Sequence, residues 1–139
     1  MALSPDGALA YVANANDTVS LIDTFTNTVV GTVVIDSDTS GGHTIAVGPD
    51  GTMYVTDAAD RTVRVLTIAD TVGVSAIGHV TITGQRPGSM VLSANGTRAV
   101  LVTTYPIGLV TPASYPDGIY GSRTRVAVID TATGSQVGT

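Results

Sequence analysis

An all-β fold is what this sequence predicts, on three observations. Threonine and valine dominate the chain, and both suit a pleated, half-buried surface. All six basic residues are arginine and all eleven acidic residues are aspartate, with no lysine or glutamate. Lys and Glu are good exposed helix formers, whereas Asp favours caps and turns. Sixteen glycines and six prolines punctuate short apolar runs that alternate with polar residues, the period of a strand.

The 139 residues suffice for one ordinary domain. With no cysteine, disulfides and thiolate metal sites are excluded. A net charge of −5 with scattered arginines lacks the basic footprint of a nucleic-acid binder. The apolar runs are too short for a transmembrane helix, so no membrane insertion is expected. Met1-Ala2-Leu3-Ser4-Pro5-Asp6-Gly7 has neither a basic region nor an apolar core, so no signal peptide is expected in this chain. At 43% hydrophobic and only 12% charged, the chain can bury a core and is not expected to be disordered.

An internal repeat organises the rest. Ser4-Pro5-Asp6-Gly7 recurs as Gly48-Pro49-Asp50-Gly51 and, degraded, as Ser93-Ala94-Asn95-Gly96. The spacing is 44 positions from Gly7 to Gly51 and 45 from Gly51 to Gly96. An apolar run follows each turn: Ala10-Tyr11-Val12-Ala13, Met53-Tyr54-Val55-Thr56 and Ala99-Val100-Leu101-Val102. A second, alternating run comes next: Thr18-Val19-Ser20-Leu21-Ile22-Asp23, Thr62-Val63-Arg64-Val65-Leu66-Thr67 and Arg125-Val126-Ala127-Val128-Ile129-Asp130. Each repeat therefore reads as four short strands, A to D. In the second repeat A is about 43–47, B about 52–56, C about 62–67, and D lies within 73–83. The Pro-Asp-Gly turn joins A to B, with proline presetting φ and glycine taking the position that needs a positive φ. Asp6, Asp23, Asp50 and Asp130 are most simply turn residues.

A four-stranded antiparallel unit repeated at this period is the signature of a β-propeller blade. Ser-Pro-Asp-Gly, then Tyr-Val-x-Asn, then Thr-Val-Ser-x-Ile-Asp-Thr-x-Thr-Asn-x-Val-Val resembles the YVTN-family β-propeller repeat. Residues 4–34 carry it nearly in full, residues 43–83 carry it with Asp57 in place of Asn, and residues 86–139 match at both ends. The expected organisation is one partial propeller domain. Blade 1 spans about 1–35, blade 2 about 43–83 and blade 3 about 86–139. A propeller closes with typically about four to eight blades. Three would leave two blade faces uncovered, so the expected partners are remaining blades or a second copy of the chain.

Propeller connectivity puts the D–A and B–C loops on one face and the A–B and C–D turns on the other. The first face holds the more varied residues and is where a binding site is sought. His43 opens blade 2 at the channel mouth, with Asp57 in the B–C loop nearby. Asp36-Ser37-Asp38-Thr39-Ser40-Gly41 matches the opening of a calcium loop, so Asp36, Asp38 and Ser40 are candidate calcium ligands. The acid expected at the twelfth position is replaced by Val47, and a polar loop is the simpler reading. Between strands B and C of blade 3 lie about 18 extra residues, roughly 105–122. They carry Tyr105, Tyr115 and Tyr120, with Arg123 at the exit, and Tyr105-Pro106 and Tyr115-Pro116 read as rigid turns. Tyr and Arg dominate interface hot spots, so this insertion is either a partner-contacting loop or a hairpin extension packed on its own blade.

No nucleophile elbow, phosphate loop or zinc constellation appears, and no cofactor is expected beyond the possible calcium. The resemblance implies a non-enzymatic binding or scaffold segment of a secreted or cell-envelope bacterial protein, with a protein or glycan ligand on the D–A/B–C face. The alternatives it implies are a fragment of a propeller enzyme, lactonase-like or a metal or haem electron-transfer propeller, and a carbohydrate-binding propeller. An enzyme would need several channel-facing acids or bases, and the sequence offers one candidate, His43.

Overall fold

The computed structural model describes residues 1–35, 43–58, 61–70, 73–82, 85–110 and 119–138. They form three four-stranded antiparallel sheets, each a simple meander in chain order. The first contains β1 (Ala2–Leu3), β2 (Leu9–Ala13), β3 (Thr18–Asp23) and β4 (Thr28–Val34). The second contains β5 (Ile45–Val47), β6 (Met53–Asp57), β7 (Thr62–Asp70) and β8 (Gly73–Thr81). The third contains β9 (Arg86–Leu92), β10 (Arg98–Val110), β11 (Ile119–Asp130) and β12 (Ser135–Gly138). Among the described residues no helix is long and apolar enough to cross a membrane.

The repeat motifs make the turns that the sequence predicts. In the A–B turns, Gly7, Gly51 and Gly96 have φ of 73°, 84° and 70°, a region that costs any residue with a Cβ. Asp6, Asp50 and Asn95 each accept the backbone N–H two residues on, from Ala8, Thr52 and Thr97. The C–D turns repeat the device. Asp23 accepts from the N–H groups of Phe25 and Thr26, and Asp130 from those of Ala132 and Thr133. The next threonine ties the two turns together: Thr24 donates to the Gly7 carbonyl at 2.7 Å and Thr131 to that of Gly96 at 2.6 Å. Asn27 and Gly134 hold matching positive φ, 55° and 62°, at the same place in the two turns. Hydrogen bonds from Thr26, Ser4 and Thr133 respectively lead in holding the Asp23, Asp6 and Asp130 carboxyls below the usual carboxylate pKa.

The sheets pack face to face in sequence, and the first strands of all three line one concave cavity of about 470 Å³. Tyr11, Val19, Leu21 and Val33 of the first sheet meet Ile45, Met53, Val55 and Leu66 of the second. The opposite face of the second sheet, with Tyr54 and Val63, meets Met90, Ala99, Leu101 and Ile129 of the third. The second sheet is thus covered on both sides, and all five residues of β6 are buried. In β10 burial alternates: Ala99, Leu101 and Thr103 are buried, and Val102 and Thr104 are exposed. The difference is the presence or absence of a neighbouring sheet.

Two expectations need correction. Strand A of the second repeat begins at Ile45, because at Thr44 the ladder is half made: its carbonyl accepts the Thr56 N–H at 2.9 Å, but its own N–H goes to the Thr56 hydroxyl at 2.8 Å. The residues around Tyr105-Pro106 do not turn. Strands B and C of the third sheet simply continue as a hairpin, pairing as far as Val110 with Ile119, with a register shift between Ile107 and Val110. Pro106 fits inside β10 because β9 pairs no further than Thr104, so the strand is an edge there and a missing N–H costs no ladder bond.

Candidate functional site

Two side-chain groupings occupy the D–A/B–C face. The first is at the junction of the first and second sheets. Asp17 sits in the tight turn between β2 and β3 with φ of 59°, and its carbonyl accepts the Ile35 N–H at 2.9 Å. The second sheet builds the same turn at Arg61, φ 59°, whose carbonyl accepts from Ile82. This geometry aims the Asp17 carboxylate across the junction at His43. His43 Nε2 lies 2.7 Å from Asp17 Oδ1, and Nδ1 lies 2.9 Å from the Thr56 carbonyl oxygen. A carboxylate and a carbonyl only accept, so both ring nitrogens must donate, and only the imidazolium can do that. Burial of the ring opposes that charge. The hydrogen bonds to Asp17 and Thr56, with the charges of Asp57 and Asp17, outweigh it and raise the His43 pKa above 6.5.

Asp57 and Arg64 complete the grouping, with Arg64 Nε 3.9 Å from Asp57 Oδ2. Asp57 is fully buried, and the His43 side chain is 2% exposed. Two carboxylates and two cations therefore balance within one seam. His43 and Asp57, predicted as binding residues, are brought together here, but their polar atoms face protein. Asp17 and Arg64 were not anticipated. The contact joins residues 26 positions apart in different repeats, and the equivalent of His43 in the third repeat is Gly88, so no periodic signal marks it.

The second grouping is on the hairpin of the third sheet. Tyr105 pairs across the strands with Arg123, and the Arg125 guanidinium lies 5.2 Å from the centre of the Tyr105 ring. Beneath them Thr103, fully buried, donates to the Gln85 side chain and anchors the hairpin base. Arg123 and Arg125 are exposed and Tyr105 is half-buried. The structure thus joins two predicted residues, Tyr105 and Arg123, and adds Arg125. Tyr120 lies in β11; Tyr115 and the candidate calcium ligands Asp36, Asp38 and Ser40 lie outside the described residues. Among the described residues no three His, Cys, Asp or Glu side chains group to hold a metal.

Four-stranded meanders packed face to face, with their first strands around a shared cavity, define a β-propeller, and this chain is built of propeller blades. Solved structures agree. The chain is similar to hydrazine synthase of Kuenenia stuttgartiensis (TM-score 0.69, 24% identity), covering 99% of this chain and 33% of that one. It is similar to a Lactobacillus plantarum protein (0.65, 19%), covering 99% and 39%. It is also similar to the Cps50 (Swd1) β-propeller domain of Myceliophteria thermophila (0.59, 14%), covering 96% and 51%. The chain thus spans about a third to a half of the length of these structures. No family model and no curated protein matches the sequence, so the YVTN likeness stands as a resemblance in the repeat.

Proposed function

We propose that this chain is a non-enzymatic binding segment of a β-propeller that takes an acidic glycan on its D–A/B–C face, through Tyr105, Arg123 and Arg125. The observation that carries the reading is the cluster on the third-sheet hairpin, where exposed Arg123 stands opposite Tyr105 and exposed Arg125 lies 5.2 Å from the Tyr105 ring centre. The face is mixed in charge, since Asp17 and Asp57 are matched by His43 and Arg64 and the sequence puts Asp36, Asp38, Asp60 and Asp117 on its loops as well. The opposite face carries Asp6, Asp23, Asp50 and Asp130, with Arg98 bound to Asp130. Guanidinium groups suit planar carboxylates and sulfates, and a tyrosine held under one of them gives a firm apolar floor for a sugar ring. A catalytic reading has less support, since His43 is buried with both nitrogens engaged. The lysine-free and cysteine-free composition supports a bacterial secreted or cell-envelope setting.

The test is retention on immobilised polyuronate and sulfated polysaccharide, with neutral dextran as control. The expected result is salt-sensitive binding to the acidic resins, lost in Arg123→Gln/Arg125→Gln, weakened in Tyr105→Ala and kept in Tyr105→Phe. Equal retention on dextran, or full retention by the double variant, refutes it.

A further inference from the structure

We infer that Asn95-Gly96 is a site of spontaneous deamidation, and that the fold accepts one product and rejects the other. This is the one Asn-Gly pair in the sequence. Asparagine is among the thermolabile residues, and a following glycine leaves the attacking backbone nitrogen unshielded by any side chain. The Gly96 nitrogen attacks Asn95 Cγ, the new C–N bond closes a succinimide ring, and the side-chain nitrogen leaves as ammonia. Water then opens the ring. If the N–Cγ bond breaks, residue 95 becomes an ordinary aspartate. If the bond from nitrogen to the main-chain carbonyl breaks, the chain runs on through the side chain as isoaspartate, one methylene longer. Asn95 is exposed in the A–B turn of the third blade. Asp50, at the same place in the second blade, is exposed as well although a sheet follows it, so the exposure does not depend on what lies beyond the third blade.

The other two repeats show how an aspartate sits there. Asp6 accepts the Ser4 hydroxyl at 2.6 Å and the Ala8 N–H at 3.0 Å. Asp50 accepts the Thr52 N–H at 3.0 Å and the Thr52 hydroxyl at 2.8 Å. Asn95 Oδ1 makes both sets at once, from the Ser93 hydroxyl at 2.8 Å, the Thr97 N–H at 3.2 Å and the Thr97 hydroxyl at 2.8 Å. A carboxylate accepts all three, and more strongly than a carboxamide does. The aspartate product therefore keeps the turn and gives the third repeat the Asp-Gly pair of the other two. The isoaspartate product cannot. Gly96 donates its N–H to the Ser93 carbonyl at 2.8 Å, its carbonyl accepts the Thr131 hydroxyl at 2.6 Å, and its φ is 70°. A Cβ built on it would stand 2.7 Å from Pro49 Cδ in the second blade, so its backbone has little room to move. An extra main-chain methylene displaces Gly96 from both bonds. The same bonds slow the reaction in the folded chain. Ring closure needs the Gly96 nitrogen and the Asn95 carboxamide released, so it proceeds through local opening of the turn.

The experiment is incubation of the full chain at mildly alkaline pH, in buffer and in urea, followed by peptide mass mapping and by methylation with an L-isoaspartyl methyltransferase. Exchange of the side-chain NH2 for OH is expected first at Asn95, ahead of Asn14, Asn16 and Asn27, and about tenfold faster in urea than in buffer. After limited proteolysis of the chain aged in buffer, the resistant fraction is expected to hold aspartate at this position, and the cleaved fraction to be enriched in isoaspartate. Asn95→Asp, which stands for the first product, is expected to match or exceed the wild-type urea midpoint. Earlier conversion of another asparagine, equal rates in buffer and urea, isoaspartate shared evenly between the two fractions, or a lower midpoint for Asn95→Asp overturns the proposal.

Discussion

Replacing Asp17 with Asn removes one charge from the His43 seam while keeping its shape. Asn tolerates the φ of 59° at least as well as Asp, so the turn between β2 and β3 should survive. The carboxylate is 16% exposed and its partner 2%, so the bond between them is poorly screened. A charge-assisted hydrogen bond contributes about 1.5–3 kcal/mol and a neutral one about 0.5–1.5, so the exchange should cost roughly 1–2 kcal/mol. For a chain of this size that is about 3–6 °C in midpoint temperature. The cost should depend on pH. The folded-state pKa of His43 lies above 6.5, so the stabilisation is complete below 6.5 and is lost as pH rises through the folded value. Once neutral, the ring can donate to only one of its two acceptors. Thermal unfolding from pH 6 to pH 9 should therefore show wild type losing stability and Asp17→Asn changing little over the same range. With only two histidines, NMR titration of the wild type and of His79→Gln assigns the His43 ring directly. A flat wild-type profile, or an equal slope in Asp17→Asn, would refute the imidazolium bridge.

Three further outcomes follow from the packing and the turns. Gly7→Ala and Gly96→Ala both place a Cβ at positive φ, at a backbone cost of about 1–2 kcal/mol. At Gly96 the new Cβ would also stand 2.7 Å from Pro49 Cδ in the neighbouring blade, whereas at Gly7 nothing lies within 4 Å, so urea unfolding should show Gly96→Ala as clearly the worse. Leu21→Ala empties a fully buried site between the first two blades and should cost about 2–5 kcal/mol by the same assay. The turn carboxylates Asp23 and Asp130 have lowered pKa values, so their stabilisation is present above about 3.8 and lost as pH falls through the folded values. Acid unfolding of Asp23→Asn should accordingly be less steep than that of wild type below that pH.

What the sequence revealed depended on how local the cause was. The A–B and C–D turns were readable because proline, aspartate and glycine act on their own few residues, and each predicted turn aspartate does accept its turn N–H groups. The strands after the turns were readable from alternation. Asp17 and Arg61 were not, because their positive φ comes from a turn shape that requires no glycine. Continuation of β10 through Pro106 was hidden because proline normally marks a break, and only the early end of β9 makes it harmless. The His43–Asp17 bridge was beyond reach of any spacing rule, because packing between repeats creates it. Of the predicted site residues, Tyr105 and Arg123 meet because strand register places them opposite, whereas Arg125 was overlooked because its position repeats an ordinary strand residue.

Burial on both sides of β6, against one-sided burial of β10, has a consequence for variation in this chain. Within this chain the same motif is packed in two ways: against a second sheet on one side in the first and third blades, and on both sides in the second. A polar replacement tolerable at the half-buried Val12 would strand its group without water at the fully buried Val55, although the two occupy the same place in their repeats. Tolerance to substitution therefore belongs to a blade's rank along the row, and averaging the three copies into one consensus would erase that information.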